Sequence, residues 1–424
     1  MVQGTMNRVV DWVAHDAKAA AKALYRRPVI GAARMWREVL GGTCFIGVTG
    51  SAAKTTTKEL LHAMLANCAP SMKNTDSNNQ LYSVARTLIG ARPGIRFCVQ
   101  ELGASKPGGL EPMLALLRPR VGVITTIGTD HFTAFRTREA VAHEKGTLVA
   151  ALPADGLAVL NADDDLVAPM ASLSRARVVT FGLHRPADFQ GTLLRSCWPR
   201  RLTLRIEHGG SSVELATRLC GDYQSVAVLA ATAAACSLGM SMAEAARAAA
   251  AFEPLLGRMS VHRTGQEVTF IRDDWKAPRW SLPAAFGFMN DAVASRKLIV
   301  LGTLSDSGGG AGRKYRRSVL DALEAADHVI GIGERAVSLA GRLDSPSDLR
   351  FHAFQSVEDA STWLRGFAQP GDLVLLKGSN VADHLARIAL AADHAVSCWR
   401  RRCGRGIFCD HCRLLDSSAE EMRD

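Results

Sequence analysis

Between residues 47 and 58 the chain reads Gly-Val-Thr-Gly-Ser-Ala-Ala-Lys-Thr-Thr-Thr-Lys. Small residues, then a lysine, then hydroxyls are the types that phosphate binding needs. Backbone N–H groups of Gly50, Ser51, Ala52 and Ala53 can close around an anion, and Thr55 and Thr56 open a helix whose N-terminus favours negative charge. Lys54 can reach the β- and γ-phosphates, and the Thr55 hydroxyl can bind Mg²⁺. The chemistry implied is that of ATP with Mg²⁺. Ala53 stands where such loops usually carry glycine, which an alanine tolerates if its φ is negative. A second cluster is Cys398, Cys403, Cys409 and Cys412, spaced C-x₄-C-x₅-C-x₂-C among arginines. Its C-x₂-C half suits a knuckle for Zn²⁺, which takes four thiolate or imidazole ligands. The alternative is free thiols on a basic tail.

A phosphate loop needs a strand before it and a helix after it. The apolar run Cys44–Val48 supplies the strand, and the helix is expected from Lys54 to about Asn67. Further strands are expected at Phe97–Gln100, Val121–Thr125 and Leu157–Leu160, with helices such as Gly109–Leu117 and Glu139–Ala151 between them. That alternation predicts an α/β fold with a parallel sheet. Residues 178–216 read as β-rich, and helices are expected from Tyr223 to Ala251. The stretch Glu253-Pro254-Leu255-Leu256-Gly257-Arg258 reads as a linker. After it the alternation restarts at Val268–Arg272, Lys297–Gly302, His328–Ile332 and Leu373–Leu376. The division expected is an arm (1–43), a central ATP-binding domain (44–256), a C-terminal α/β domain (257–397) and a Cys/Arg-rich tail (398–424). In the arm, Val9, Trp12, Val13, Ala17, Ala20, Ala21 and Leu24 recur at helical spacing, and Arg26-Arg27-Pro28 is expected to end that helix.

The loop is followed, in order, by Asn74-Thr75-Asp76-Ser77-Asn78-Asn79, Glu101-Leu102-Gly103-Ala104, Thr129-Asp130-His131-Phe132, Glu144-Lys145-Gly146 and Leu160-Asn161-Ala162-Asp163. Gly257-Arg258, Asp273-Asp274 and Leu376-Lys377-Gly378-Ser379 come later. This series resembles the Mur ligase family, most nearly its D-alanyl-D-alanine-adding branch, over about residues 44–395. The resemblance implies a central P-loop ATPase domain followed by a Rossmann-like C-terminal domain. It implies an ATP-dependent ligase that joins a carboxylate to an amine through an acyl phosphate. By position it puts Thr55, Glu101, His131 and Lys145 on Mg²⁺, with Lys145 carbamylated. It makes Lys54, Lys145 and His131 catalytic, puts Arg258 and Asp274 on the nucleotide, and puts Asn78, Asn79, Lys377 and Ser379 on the substrates. The family's Gly-x-His-Asn/Gln-x-x-Asn segment reads Gly221-Asp222-Tyr223-Gln224-Ser225-Val226-Ala227 here, and its Tyr-Asn-Ala-Asn reads Lys276-Ala277-Pro278-Arg279. Only 43 residues precede the first strand, where muramyl ligases carry a UDP-sugar-binding domain of roughly 80–100 residues. A carboxylate other than a UDP-muramoyl peptide is therefore expected.

The chain has 424 residues, 22% of them charged and 47% hydrophobic, with a net charge of +10. That balance excludes a wholly disordered chain. Scattered single cysteines, no apolar run of membrane-spanning length and no signal-peptide pattern point to the cytoplasm. Residues 1–43 carry seven basic and three acidic residues, and residues 398–413 carry five arginines and Asp410. The surplus therefore sits at the two ends, which could dock a protein partner or an acidic surface. Two competing readings are an inactive nucleotide-binding scaffold, suggested by Ala53, Tyr223 and Ala227, and a nucleic-acid binder using the tail. Aromatic residues, which would stack on bases, are only 6% of the chain, which argues against the second.

Overall fold

The computed structural model describes residues 25–129, 132–305, 310–341, 350–401 and 403–416. Two sheets organise the chain. The first holds β1 (Cys44–Thr49), β2 (Ser71–Lys73), β3 (Phe97–Glu101), β4 (Val121–Ile124), β5 (Leu157–Asn161), β6 (Arg177–Gly182), β7 (Phe189–Arg195), β8 (Thr203–His208) and β9 (Ser211–Ala216). Their order is β2-β3-β1-β4-β5-β6-β7-β8-β9. The pairs from β2 to β7 are parallel, and β7, β8 and β9 form an antiparallel extension. The central strands are apolar on both faces because helices cover both. Along β1 the side chains alternate: Ile46 and Val48 pack with Leu60, Leu61 and Met64 of the helix Lys54–Ala66, while Phe45 faces Leu117, Leu148 and Val149 on the other side.

The second sheet holds β10 (Ser260–Arg263), β11 (Thr269–Asp273), β12 (Arg296–Leu301), β13 (His328–Ile332), β14 (Phe351–Phe354) and β15 (Asp372–Lys377). The order is β10-β11-β15-β12-β13-β14, and only the β10–β11 pair is antiparallel. Asp372, buried at the start of β15, receives two hydrogen bonds from Arg296 at 2.9 and 2.7 Å. This ties the N-terminal ends of β12 and β15 together and leaves their C-terminal ends to face the first sheet.

The arm differs from expectation. A helix covers residues 25–39 and runs straight through Pro28. Ala33 and Leu40 are buried against the first sheet's outer helices, Trp36 donates to the Ala91 carbonyl at 2.8 Å, and Arg37 donates to that of Leu117 at 2.8 Å. Pro28 falls in the first described turn, where a missing N–H costs little, and this tertiary burial holds the helix beyond it. The amphipathic pattern from Val9 to Leu24 lies outside the described residues. The tail also differs from a loose appendage: Ser397 and Cys398 donate to the Leu415 carbonyl, and Arg387 donates to the carbonyls of Cys398 and Arg400.

Candidate active site

Parallel pairing brings the chemistry together. Chain order reverses around β1, which lies between β3 and β4, and ligands sit beyond the carboxyl ends of strands at such a switch point. Val48 is in register with Glu101, and Thr49 with Ile124, so the loop after β1 emerges beside the ends of both neighbours. Gly50 has φ 147°, and a Cβ there would lie 1.9 Å from Thr125 Oγ1, so only glycine fits. Ala53 has φ 62°, in the left-handed region, so the condition of a negative φ is not met. The loop thus keeps the backbone shape that glycine would serve, at a strain cost of about 1–2 kcal/mol.

A cleft of about 440 Å³ opens over this loop, between the two sheets. Ser51, Ala52, Ala53, Lys54, Thr55 and Thr56 form its floor. Thr55 Oγ1 donates to Glu101 Oε2 at 2.7 Å, and Asn79 Nδ2 donates to Glu101 Oε1 at 2.9 Å. Asn74 fixes the Glu101 backbone, accepting from its N–H at 2.8 Å. Behind them Lys58, fully buried, donates to the carbonyls of Asn74 and Asp76 and pairs with Glu59. Burial alone would raise the Glu59 carboxyl, but Lys58 and Lys73 hold it below its ordinary value. The segment after β2 is therefore pinned from below, so that Asn79 meets Glu101. Lys145, on the helix Arg138–Ala150 and only 3% exposed, also lines the cleft. Its neighbour Glu144 accepts from the backbone N–H groups of Gly108 and Leu110, both at 2.7 Å.

The opposite wall comes from the second sheet. Arg258 reaches across to donate to Ser77 Oγ at 2.9 Å. Burial lowers its pKa, and the carboxylates of Glu101, Asp273 and Glu59 act against that, so it faces an acidic site. Asp273 at the end of β11 pairs with Lys377 at the end of β15 at 2.5 Å, and both line the cleft with Lys276 and Trp280. The Trp280 ring lies against Gly128, where a Cβ would come within 3.2 Å of it.

Of the residues expected at the site, Ser51 to Thr56, Asn79, Glu101, Lys145, Arg258 and Lys377 meet in this cleft, and Gly50 shapes its floor. Three do not reach its wall. Asn78 is exposed, with its carbonyl receiving Asn74 Nδ2. Ser379 precedes a short helix, its N–H given to Asp383. Asp274 is 2% exposed and turned behind the wall, where burial raises its carboxyl and Arg272, with Nε 3.8 Å away, opposes that rise. The acid on the wall is Asp273, because adjacent residues at a strand end face opposite ways. His131 lies outside the described residues. Asp273, Lys276, Ser77 and Trp280 were not assigned to the site, although Asp273 and Ser77 stand in the motifs quoted above and Lys276 in the Lys276–Arg279 departure. Tyr223 also lines the cleft, and its hydroxyl is buried with no hydrogen-bond partner among the described residues. Burial, with Asp273 nearby, pushes that phenol well above its ordinary value.

The zinc expectation fails on geometry. Cys398, Cys403, Cys409 and Cys412 line one narrow cavity with His384, but among the described residues no three His, Cys, Asp or Glu side chains gather as a ligand set. The Cys409 sulfur lies 3.3 Å from His384 Nδ1, and burial pushes its thiol up to about 12. No described helix is long and apolar enough to cross a membrane.

Family models of the Mur ligase middle domain and of the Mur ligase, glutamate ligase domain match residues 48–235 and 257–380. A UDP-N-acetylmuramoyl-tripeptide–D-alanyl-D-alanine ligase from Mycobacterium tuberculosis is 31% identical over 368 residues, covering 81% of this chain and 72% of that one. The enzyme of the same name from Escherichia coli is 25% identical over 300 residues, covering 70% and 66%. Among solved structures, MurF from Acinetobacter baumannii superposes with a TM-score of 0.77 at 22% identity, covering 87% of this chain and 80% of that one. The MurF ligase from Thermotoga maritima in complex with ADP gives 0.71 at 20% identity, covering 87% and 83%. The chain belongs to the Mur ligase family and is an ATP-dependent ligase that joins a carboxylate to an amine.

Proposed function

We propose that the cleft holds Mg·ATP on the first sheet and that the joined substrates meet between the two sheets. The observation that carries this is the Thr55–Glu101 contact at the start of the loop helix, 2.7 Å long and buried. A hydroxyl and a carboxylate oxygen side by side are the hard oxygen donors that Mg²⁺ takes. The buried Ser51 hydroxyl, which has no partner among the described residues, fits a phosphate-facing loop in the same way. Lys145 completes the set if carbamylated, as does His131 by its place in the sequence. When bound, the metal offsets charge between the nucleotide phosphates and an anionic acid.

The chain's own residues do the rest. Backbone N–H groups of Ala52 to Thr56, with Lys54, hold the phosphates in line, while the Ser51 N–H is given to the Thr126 carbonyl at 2.7 Å. Arg258, bonded across the cleft to Ser77, brings a second cation from the opposite wall to the transferring phosphoryl group. The substrate carboxylate attacks the γ-phosphorus, ADP leaves, and the acyl phosphate so formed is attacked by the amine with loss of phosphate. Asp273 and Lys377 form the charged wall nearest the incoming amine. The relatives' names supply the first pair to try, a UDP-N-acetylmuramoyl tripeptide and D-alanyl-D-alanine. The run Lys276-Ala277-Pro278-Arg279 gives the wall a cation, so acidic amine substrates belong in the same screen.

The test is ADP release across a matrix of acids and amines, with Lys54→Ala as control. Release that needs both substrates and vanishes in Lys54→Ala supports the reading. Release in Lys54→Ala at the wild-type rate would overturn it.

A further inference from the structure

The family match ends at residue 380, yet a later segment lies directly behind the cleft wall. The Phe408 ring lies tilted by 32° against that of Trp275, with ring centroids 4.4 Å apart. Gly257, at φ 67°, has room for no side chain: a Cβ would lie 3.1 Å from Phe408 Cε1 and 3.1 Å from Asp274 Oδ1. Trp275 N–H donates to the Gly257 carbonyl at 3.2 Å, which couples the turn before Arg258 to the end of β11. Asp410 takes both arms of the Arg272 guanidinium, at 2.6 and 2.8 Å. Asn380 donates to the Ile407 carbonyl at 3.0 Å.

Arg272 is 1% exposed and stands between two carboxylates, with Asp410 across its fork and Asp274 beside its Nε. A buried guanidinium that loses one acid turns to the other. Losing Asp410 would therefore draw Arg272 onto Asp274. Asp274 lies between Asp273 and Trp275, so the wall residues would move with it. Losing the Phe408 ring would remove the floor under Gly257 and release Arg258 from its aim at Ser77.

We propose that residues 407–410 are a working part of the nucleotide cleft, with Phe408 and Asp410 as positioning residues that hold Arg258, Asp273 and Lys276 in its wall. This rests on the cleft being the nucleotide site. The two residues act by different contacts on one wall, so their losses should add to less than their sum.

The test measures Mg·ADP affinity by calorimetry on the full chain, for Phe408→Leu, Asp410→Asn, the double variant, Asp410→Glu and Lys54→Ala, with thermal midpoints alongside. The expected result is about tenfold weaker binding for Asp410→Asn, the energy of one charge-assisted contact, and about the same for Phe408→Leu, the upper end of one aromatic pair. Asp410→Glu, which keeps the charge, should recover most of the loss, and the double variant should lose less than about a hundredfold. If Asp410→Asn does not fold, Phe408→Leu decides. Folded Phe408→Leu and Asp410→Asn proteins that bind Mg·ADP as wild type does would overturn the proposal. Equal weakening by Asp410→Glu and Asp410→Asn would also overturn it. Wild-type binding by Lys54→Ala would instead mean that the cleft is not the nucleotide site.

Discussion

Ala53→Gly separates two descriptions of the phosphate loop by the sign of its effect. At φ 62° and ψ −7°, Ala53 pays the left-handed penalty of about 1–2 kcal/mol that glycine does not. Glycine gives back about 0.5–1 kcal/mol through its freer unfolded chain. The net expectation is a gain of about 0.5–1 kcal/mol for the unit that contains the first sheet. Urea denaturation reads it as a higher midpoint with an unchanged slope. Ala53→Val is the counterpart, since a β-branched residue at positive φ is a genuine outlier, and it should lose more than about 1 kcal/mol. The Ala53 side chain also lies on the cleft floor, so the glycine variant should show a lower KM for ATP. A loss of about 1 kcal/mol in Ala53→Gly would refute the reasoning, because that is what glycine costs at a right-handed helical position. The loop would then present its N–H groups in another direction.

Three further outcomes are expected. Glu101→Gln keeps the shape and one of the two acceptor oxygens but removes the charge, so ADP release should fall about a hundredfold or more at fixed Mg²⁺ and recover partly as Mg²⁺ is raised; a variant indifferent to Mg²⁺ would detach Glu101 from the metal. Asp372→Asn leaves Arg296 facing a neutral amide and should cost about 2 kcal/mol, less than a fully buried pair because Arg296 is partly exposed, as read from denaturation of the second sheet. Burial, with Arg387 nearby, pushes His384 down to about 4, so between about pH 6.5 and 4 the unfolded chain binds a proton that the folded chain refuses. Stability from this group is complete above 6.5 and falls as pH drops; His384→Gln should flatten that part of the midpoint-versus-pH curve, and an unchanged slope would count against it.

The strands that carry the site were legible because a sheet covered on both faces writes continuous apolar runs, as at Cys44–Thr49 and Phe97–Glu101. The strands that escaped are short or polar. Ser71–Lys73 has three residues, none of them buried, and Ser260–Arg263 carries His262 and Arg263 at the sheet edge. Burial pattern is the signal, and edge strands have little of it. Which of Asp273 and Asp274 faces the cleft was illegible for a related reason. Both are acids at one strand end, and only the register of β11 on β15, which sets Asp273 opposite Lys377, decides which one faces the cleft. The conformation of Ala53 was illegible for another reason: composition shows that glycine is missing, whereas the φ is imposed by the strand, the helix and Thr125 around the loop.

The charge at the two ends takes on another meaning once its partners are known. Arg37, counted among the basic residues of the arm, lies 4.0 Å over the Phe45 ring and donates to the Leu117 carbonyl, so it fastens the helix 25–39 to the first sheet. In the tail, Asp410 is the lone acid between Cys398 and Arg413, and it is the residue that enters the second sheet and meets buried Arg272. A guanidinium that is 1% exposed needs a carboxylate more than an exposed arginine does, because water cannot serve it. Arg401, Arg405 and Arg413 stay exposed, while the one acid is drawn inward. A count of charges along the chain reports those arginines and misses the pair that holds the segment in place. On this view Asp410 should matter more to the ligase than any of the five arginines beside it, although in the sequence it is the one charge that looks out of place.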